Sequence, residues 1–139
     1  MNRDGVKASA LVLAIIVAAC ATDQSKLPHA TNATVTTELN RKYSKRIPVQ
    51  SFSLQDSVVS MVDFQWADVE HSGGEHLVEW RWYKDGALIS KSERRLTFST
   101  TPYTTWTTRA AASLGPGEFR VDTLLDGKVA SSSGFEIRP

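Results

Sequence analysis

From about residue 57 onward, apolar and polar positions alternate with a period of two, the spacing of a strand that buries one face. In 57–67, Val58, Val62, Phe64 and Trp66 share a parity, with Ser60 the exception. In 75–84, Val78, Trp80 and Trp82 alternate with Glu79 and Arg81. In 103–112, Trp106, Thr108 and Ala110 lie opposite Thr105, Thr107 and Arg109. In 117–125, Phe119, Val121, Thr123 and Leu125 oppose Glu118, Arg120 and Asp122, and in 128–137 Val129, Phe135 and Ile137 share a parity. Residues 87–98 read as a longer, more polar strand ending in Leu96 and Phe98. No stretch has helical spacing. Six strands follow, and a seventh if 47–54 is counted.

Turn chemistry joins these runs. Lys84-Asp85-Gly86 and Leu125-Asp126-Gly127 mark two hairpins. A two-residue loop would set Leu125 opposite Lys128, against the apolar pattern. A three-residue loop with a left-handed glycine and a bulge avoids this. It predicts Thr123 opposite Val129, Val121 opposite Ser131 and Trp82 opposite Leu88. Leu114-Gly115-Pro116-Gly117 is a third turn, and Thr101-Pro102 breaks the chain before the Trp106 strand. Short strands joined by tight turns predict an all-β, antiparallel sandwich resembling immunoglobulin or fibronectin type III modules. Its predicted core is Val62, Phe64, Trp66, Val78, Trp80, Trp82, Leu96, Phe98, Trp106, Phe119, Val121, Phe135 and Ile137. There is no disulfide to help, because Cys20 is the only cysteine.

The first fifth of the chain has a different logic. Arg3 and Lys7 precede an apolar run of about ten residues from Ala10 to Ala19. That is half of what a membrane-spanning helix needs, and it reads as a secretory signal peptide over 1–19. Val17-Ala18-Ala19-Cys20 resembles the bacterial lipobox, in which the cysteine is lipidated and becomes the new N-terminus. Several acyl chains on Cys20 would make a stable membrane anchor. Ala21, rather than Asp, follows the cysteine, which favours an outer-membrane destination facing the periplasm. Residues 20–46 are rich in Thr, Ala and Asn and show no periodicity, so they read as the lipidated N-terminus and a flexible tether. Such a tether spans about 28 Å root-mean-square. The sandwich is then 47–139. Arg41, Lys42, Lys45 and Arg46 read as a solvated linker end rather than a lipid-phosphate contact.

Charge narrows the partners. Beyond residue 19 the chain carries fourteen basic and fourteen acidic side chains, so no basic stripe addresses nucleic acid. His71-Ser-Gly-Gly-Glu-His76 has ligand-type residues, but a zinc site needs three or four with fixed geometry, and a solvated Gly-Gly loop is the simpler reading. No Gly-x-Ser-x-Gly elbow occurs. Glu79, Glu118 and Asp122 fall on the predicted outer faces of separate strands, where solvation explains them better than glycoside chemistry. The composition therefore predicts no catalytic residues, no metal and no cofactor. The polar-aromatic set Glu79, Arg81, Tyr83, Tyr103 and Arg109 is the candidate interaction surface, since Tyr and Arg are enriched in protein interfaces. The partner expected is another envelope protein. A carbohydrate- or peptidoglycan-binding platform would require exposed tryptophans, whereas parity places all four inward.

One family resemblance carries part of the chain. His76-Leu-Val-Glu-Trp-Arg-Trp-Tyr83, the Lys84-Asp85-Gly86 turn, Tyr103-Thr-Thr-Trp-Thr-Thr-Arg109, Gly115-Pro-Gly-Glu-Phe-Arg-Val121, Asp126-Gly127 and Phe135-Glu-Ile137 follow in order. Over 75–137 this resembles the bacterial domain-of-unknown-function family numbered 2914. The resemblance implies a binding or accessory module and no catalytic residues.

Overall fold

The structure is a computed structural model that describes residues 27–139. The signal segment 1–19 and Cys20 lie outside the described residues. Residues 27–139 form an immunoglobulin-like sandwich of two sheets. Its strands are β1 (His29–Thr37), β2 (Ser51–Phe52), β3 (Ser57–Gln65), β4 (Gly74–Lys84), β5 (Ala87–Phe98), β6 (Tyr103–Ala110), β7 (Gly117–Leu125) and β8 (Lys128–Ile137). One sheet has the order β1-β3-β6 and the other β2-β8-β7-β4-β5. All described pairings are antiparallel except β2, which runs parallel to β8 for two residues. Two short helices, α1 (Glu38–Lys42) and α2 (Ala111–Leu114), complete the elements.

The tether reading of 20–46 does not hold beyond residue 28. β1 pairs with β3 from His29↔Gln65 to Thr37↔Val58 and contributes Val35 to the core. The domain thus begins near Leu27 and not at Ile47. The alternation in β1 was hidden because its inward positions are mostly Ala and Thr. Backbone pairing to an apolar neighbour, rather than its own hydrophobicity, holds it. Thr37 caps α1 by accepting the Asn40 N–H at 3.2 Å. The chain then returns along β1, where the Val49 N–H donates to the Val35 carbonyl at 2.8 Å.

Eleven of the thirteen predicted core residues are buried in one cluster, which also takes in Phe52 and Val58. Aromatic contacts gather around two rings. Phe98 stacks with Phe64 at 5.1 Å and Trp66 at 6.0 Å, and Phe135 meets Phe119 at 5.3 Å, Phe52 at 5.5 Å and Trp82 at 6.0 Å. Offset and edge contacts at these spacings are the favoured arrangements. Leu96 is only partly buried.

Trp106 departs from the prediction outright. It is 39% exposed, while its neighbours Thr105 and Thr107 are buried. In β6 the threonines face the core and the tryptophan faces out, the reverse of what hydrophobicity suggests. On the outer side Trp106 pairs in register with Met61. Val59 and Met61 are buried on that same side, outside the main core. A second, smaller apolar layer there reverses the parity of β6.

Both hairpins use a different device from the predicted loop. Asp85-Gly86 and Asp126-Gly127 are two-residue loops with every φ positive, from 47° to 84°, the type I′ signature. Lys84 therefore sits opposite Ala87 and Leu125 opposite Lys128. One extra residue further in, Ile89 in β5 and Ala130 in β8, then shifts the register. After the bulge Trp82 faces Ser90, Thr123 faces Ser131 and Val121 faces Ser133. The bulge restores inward parity for Phe135 and Ile137 and leaves Val129 on the outer face, 61% exposed.

Candidate interaction surface

The outer face of the five-stranded sheet is charged. Register places Lys91, Arg81, Asp122 and Ser132 in one row, and Glu93, Glu79, Leu124 and Val129 in the next. The sequence assigned Glu79 and Asp122 to solvent. They do point outward, but they are buried, 7% and 8% exposed. Longer neighbours close over them. Arg81 Nε donates to Glu79 on the same strand. Arg120 Nε donates to Asp122 Oδ1 at 3.1 Å, and the Ser132 hydroxyl donates to the same oxygen at 2.6 Å. The Arg120 guanidinium lies 4.2 Å above the Tyr83 ring. Leu124, in the second row, is buried as well. The Glu79 hydrogen bond holds the Arg81 guanidinium above its ordinary value.

The result is a layer in which acids lie low and arginines lie across them. A shallow cleft of about 170 Å³ opens beside it, lined by Tyr83, Asp85, Gly86, Glu118, Phe119 and Arg120. Glu79, Arg81 and Tyr83 are therefore brought together, and Arg120, Asp122 and Ser132 join them. Cross-strand register between Arg81 and Asp122 is what unites the two groups, and a single strand read alone does not reveal it.

Tyr103 and Arg109 do not belong to this surface. Both have the inward parity of β6. Tyr103 stacks on Phe98 at 4.8 Å. Arg109 lies over Trp82 at 5.7 Å and donates to the Ser90 hydroxyl at 3.2 Å, spanning the gap between β6 and β5. Their role is to close the sandwich edge. The same reversal that exposes Trp106 turns these two inward.

A second polar centre lies at the opposite end of β4. The His76 ring has Nδ1 2.6 Å from Asp126 Oδ2 and Nε2 2.7 Å from the Gly73 carbonyl, and packs 4.9 Å from Phe98. Both partners are acceptors, and the tautomer of the ring sets which nitrogen donates. Asp126 Oδ1 also accepts the Leu77 N–H at 2.9 Å. This pair borders a cleft of about 600 Å³, whose other walls include Leu27, His29, Leu125 and Val129. His71 instead meets Asp68 at 2.8 Å. The two histidines of the Gly-Gly loop thus serve separate carboxylates. Among the described residues no group of three or more His, Cys, Asp or Glu is placed to hold a metal.

Burial pushes the Asp126 carboxyl up, but hydrogen bonds from His76 and the Leu77 amide outweigh it and hold the group below its ordinary value. A depressed folded value means the group stabilises the fold above the ordinary carboxylate range, and that contribution is lost as pH falls through the depressed value. Urea midpoints at pH 6 and pH 3 should therefore differ less in Asp126→Asn than in the parent. Equal differences in the two proteins would disprove this role.

The likenesses to known proteins concern the fold. No family model and no curated protein sequence matches the chain. Among solved structures it is similar to an immunoglobulin-like protein from Pseudomonas aeruginosa, at 12% identity and a TM-score of 0.51, covering 82% of this chain and 98% of that one. It is also similar to part of an alkylpurine DNA glycosylase from Pseudomonas fluorescens bound to DNA containing an abasic site analogue. There the identity is 14%, the TM-score 0.53, and the coverage 81% of this chain but only 30% of that one. At these identities the shared property is an immunoglobulin-like sandwich, a scaffold that hosts many functions.

Proposed function

We propose that this chain is a membrane-anchored lipoprotein of the bacterial cell envelope, held at Cys20, whose sandwich is a non-catalytic protein-interaction or accessory module. The observation that carries the interaction role is the outer face of the five-stranded sheet, where Arg81 and Arg120 lie across Glu79, Asp122 and Tyr83. Such a surface offers planar guanidinium and phenol groups that are already positioned, so binding orders little more. The anchor rests on Val17-Ala18-Ala19-Cys20 after a short apolar run, and Ala21 favours the outer membrane facing the periplasm.

Photo-crosslinking from position 83 in cells tests the surface. A discrete adduct is expected from Tyr83, absent in an Arg81→Glu/Arg120→Glu chain and absent from the same probe at exposed Lys45. Equal labelling from both positions would count against it. For the anchor, Cys20→Ala should release the protein into the periplasmic fraction or leave it unprocessed. Processed protein remaining at the parent membrane level would refute lipidation.

A carbohydrate-binding reading has one observation in its favour, the outward Trp106. Its indole carries the Arg41 guanidinium at 4.7 Å on one side. Saturating envelope glycan should then alter tryptophan emission; unchanged emission would eliminate that reading.

A further inference from the structure

We propose that the α1 segment, residues 38–47, together with Trp106, is a docking face for an anionic phospholipid surface. Leu39 is 64% exposed, Tyr43 63% and Ile47 52%, three large apolar side chains within nine residues. Leu39 and Tyr43 are four apart at the end of α1, where the Tyr43 N–H donates to the Leu39 carbonyl at 3.2 Å, so they share a side. Trp106 lies beneath Arg41 on the same outer face of the three-stranded sheet. Single exposed apolar residues are ordinary on any protein. A group of four around one short helix and turn is not.

The segment is also pinned. Thr36 donates to the Ile47 carbonyl at 2.7 Å and accepts from Asn40 at 3.0 Å. Arg46 is clasped to Asp63, whose carboxylate also takes the Thr104 hydroxyl at 2.6 Å. The apolar side chains are thus held outward on a braced turn.

Charge chooses the occupant. Residues 27–139 contain thirteen basic and thirteen acidic side chains, whereas 38–47 contains four basic and one acidic. That one acid, Glu38, is engaged by Arg41. Lys42 and Lys45 are exposed and make no ion pair among the described residues. Lysines beside Leu, Ile, Tyr and Trp suit the boundary between headgroups and acyl chains, where aromatic rings and basic ends are enriched. Lysine is depleted from protein–protein interfaces, which weighs against a protein occupant. Six residues lie between Cys20 and Leu27, and those seven steps reach at most about 25 Å; β1 carries the chain about 30 Å further. A domain lying on its three-stranded sheet would place this face on the bilayer that holds Cys20. The inference rests on the anchored reading for that proximity. An acyl anchor and a basic apolar face would then act as two membrane signals.

The test uses the chain purified from whole cells that express the full sequence, mixed with excess vesicles of phosphatidylcholine alone or with one third phosphatidylglycerol, each with and without brominated acyl chains. The Trp106 share of emission is taken by difference from a Trp106→Phe chain. Brominated anionic vesicles should quench that share at least twofold more than neutral ones. Leu39→Glu/Tyr43→Glu should abolish the quenching, and Lys42→Glu/Lys45→Glu should abolish the preference for anionic lipid. Quenching that is absent, or indifferent to all four substitutions, would overturn the proposal. Flotation of the protein with vesicles, measured separately, reports the anchor. A chain that fails to float but is still quenched by excess anionic lipid would refute the anchor and keep the docking face.

Discussion

A chain that begins at Ile47, where the polar stretch ends, is expected to lose cooperative folding. β1 supplies the outer pairing of β3 in the order β1-β3-β6. Without it the smaller sheet is a two-stranded ribbon, too little to stand on its own. Val35 leaves the core, and Val59 and Met61 lose the cover that keeps them 0% and 6% exposed. The whole stability of a domain this size is about 5–15 kcal/mol, and the loss should consume most of it. Urea melts of 27–139 and 47–139 measure it. A cooperative transition for the shorter chain within about 1 kcal/mol of the longer one, a difference typical of ordinary surface changes, would show β1 to be dispensable.

The second large effect is at Trp80. It is fully buried on β4, flanked by β5 and β7, with the Arg94 guanidinium 5.7 Å from its ring. Trp80→Ala should cost about 3–5 kcal/mol through lost burial and the cavity left behind. Its indole N–H makes no hydrogen bond within the protein, so Trp80→Phe forfeits none and should cost clearly less. Trp106→Ala is the control. That side chain faces outward, and its removal should cost about 1 kcal/mol or less, near the range of surface changes. Equal costs for the two alanine variants would mean that β6 presents its tryptophan to the core after all.

Much of the candidate surface was legible in one dimension. Alternation in β4 and β7 assigned Glu79, Arg81, Tyr83, Arg120 and Asp122 to the outer faces of their strands, and the structure keeps them there. What alternation left out was depth. Glu79 and Asp122 are buried because arginines two residues along their own strands fold over them. Tyr103 and Arg109 were misplaced for one reason, the reversed face of β6. Hydrophobicity put Trp106 inside, but two layers compete for each residue of that strand, and threonines fill the narrow side.

Local chemistry by itself determined the all-strand class, six of the eight described strands (a seventh if 47–54 is counted) and most of the core, because a period of two and Asp-Gly turns act between near neighbours. Tertiary structure alone decided that residues 29–42 fold, which way β6 faces, and where bulges at Ile89 and Ala130 reset the register. Those outcomes depend on partners far along the chain. A strand of Ala and Thr has little apolar surface to bury on its own account, and it is ordered because β3 offers it hydrogen bonds and a place against the core.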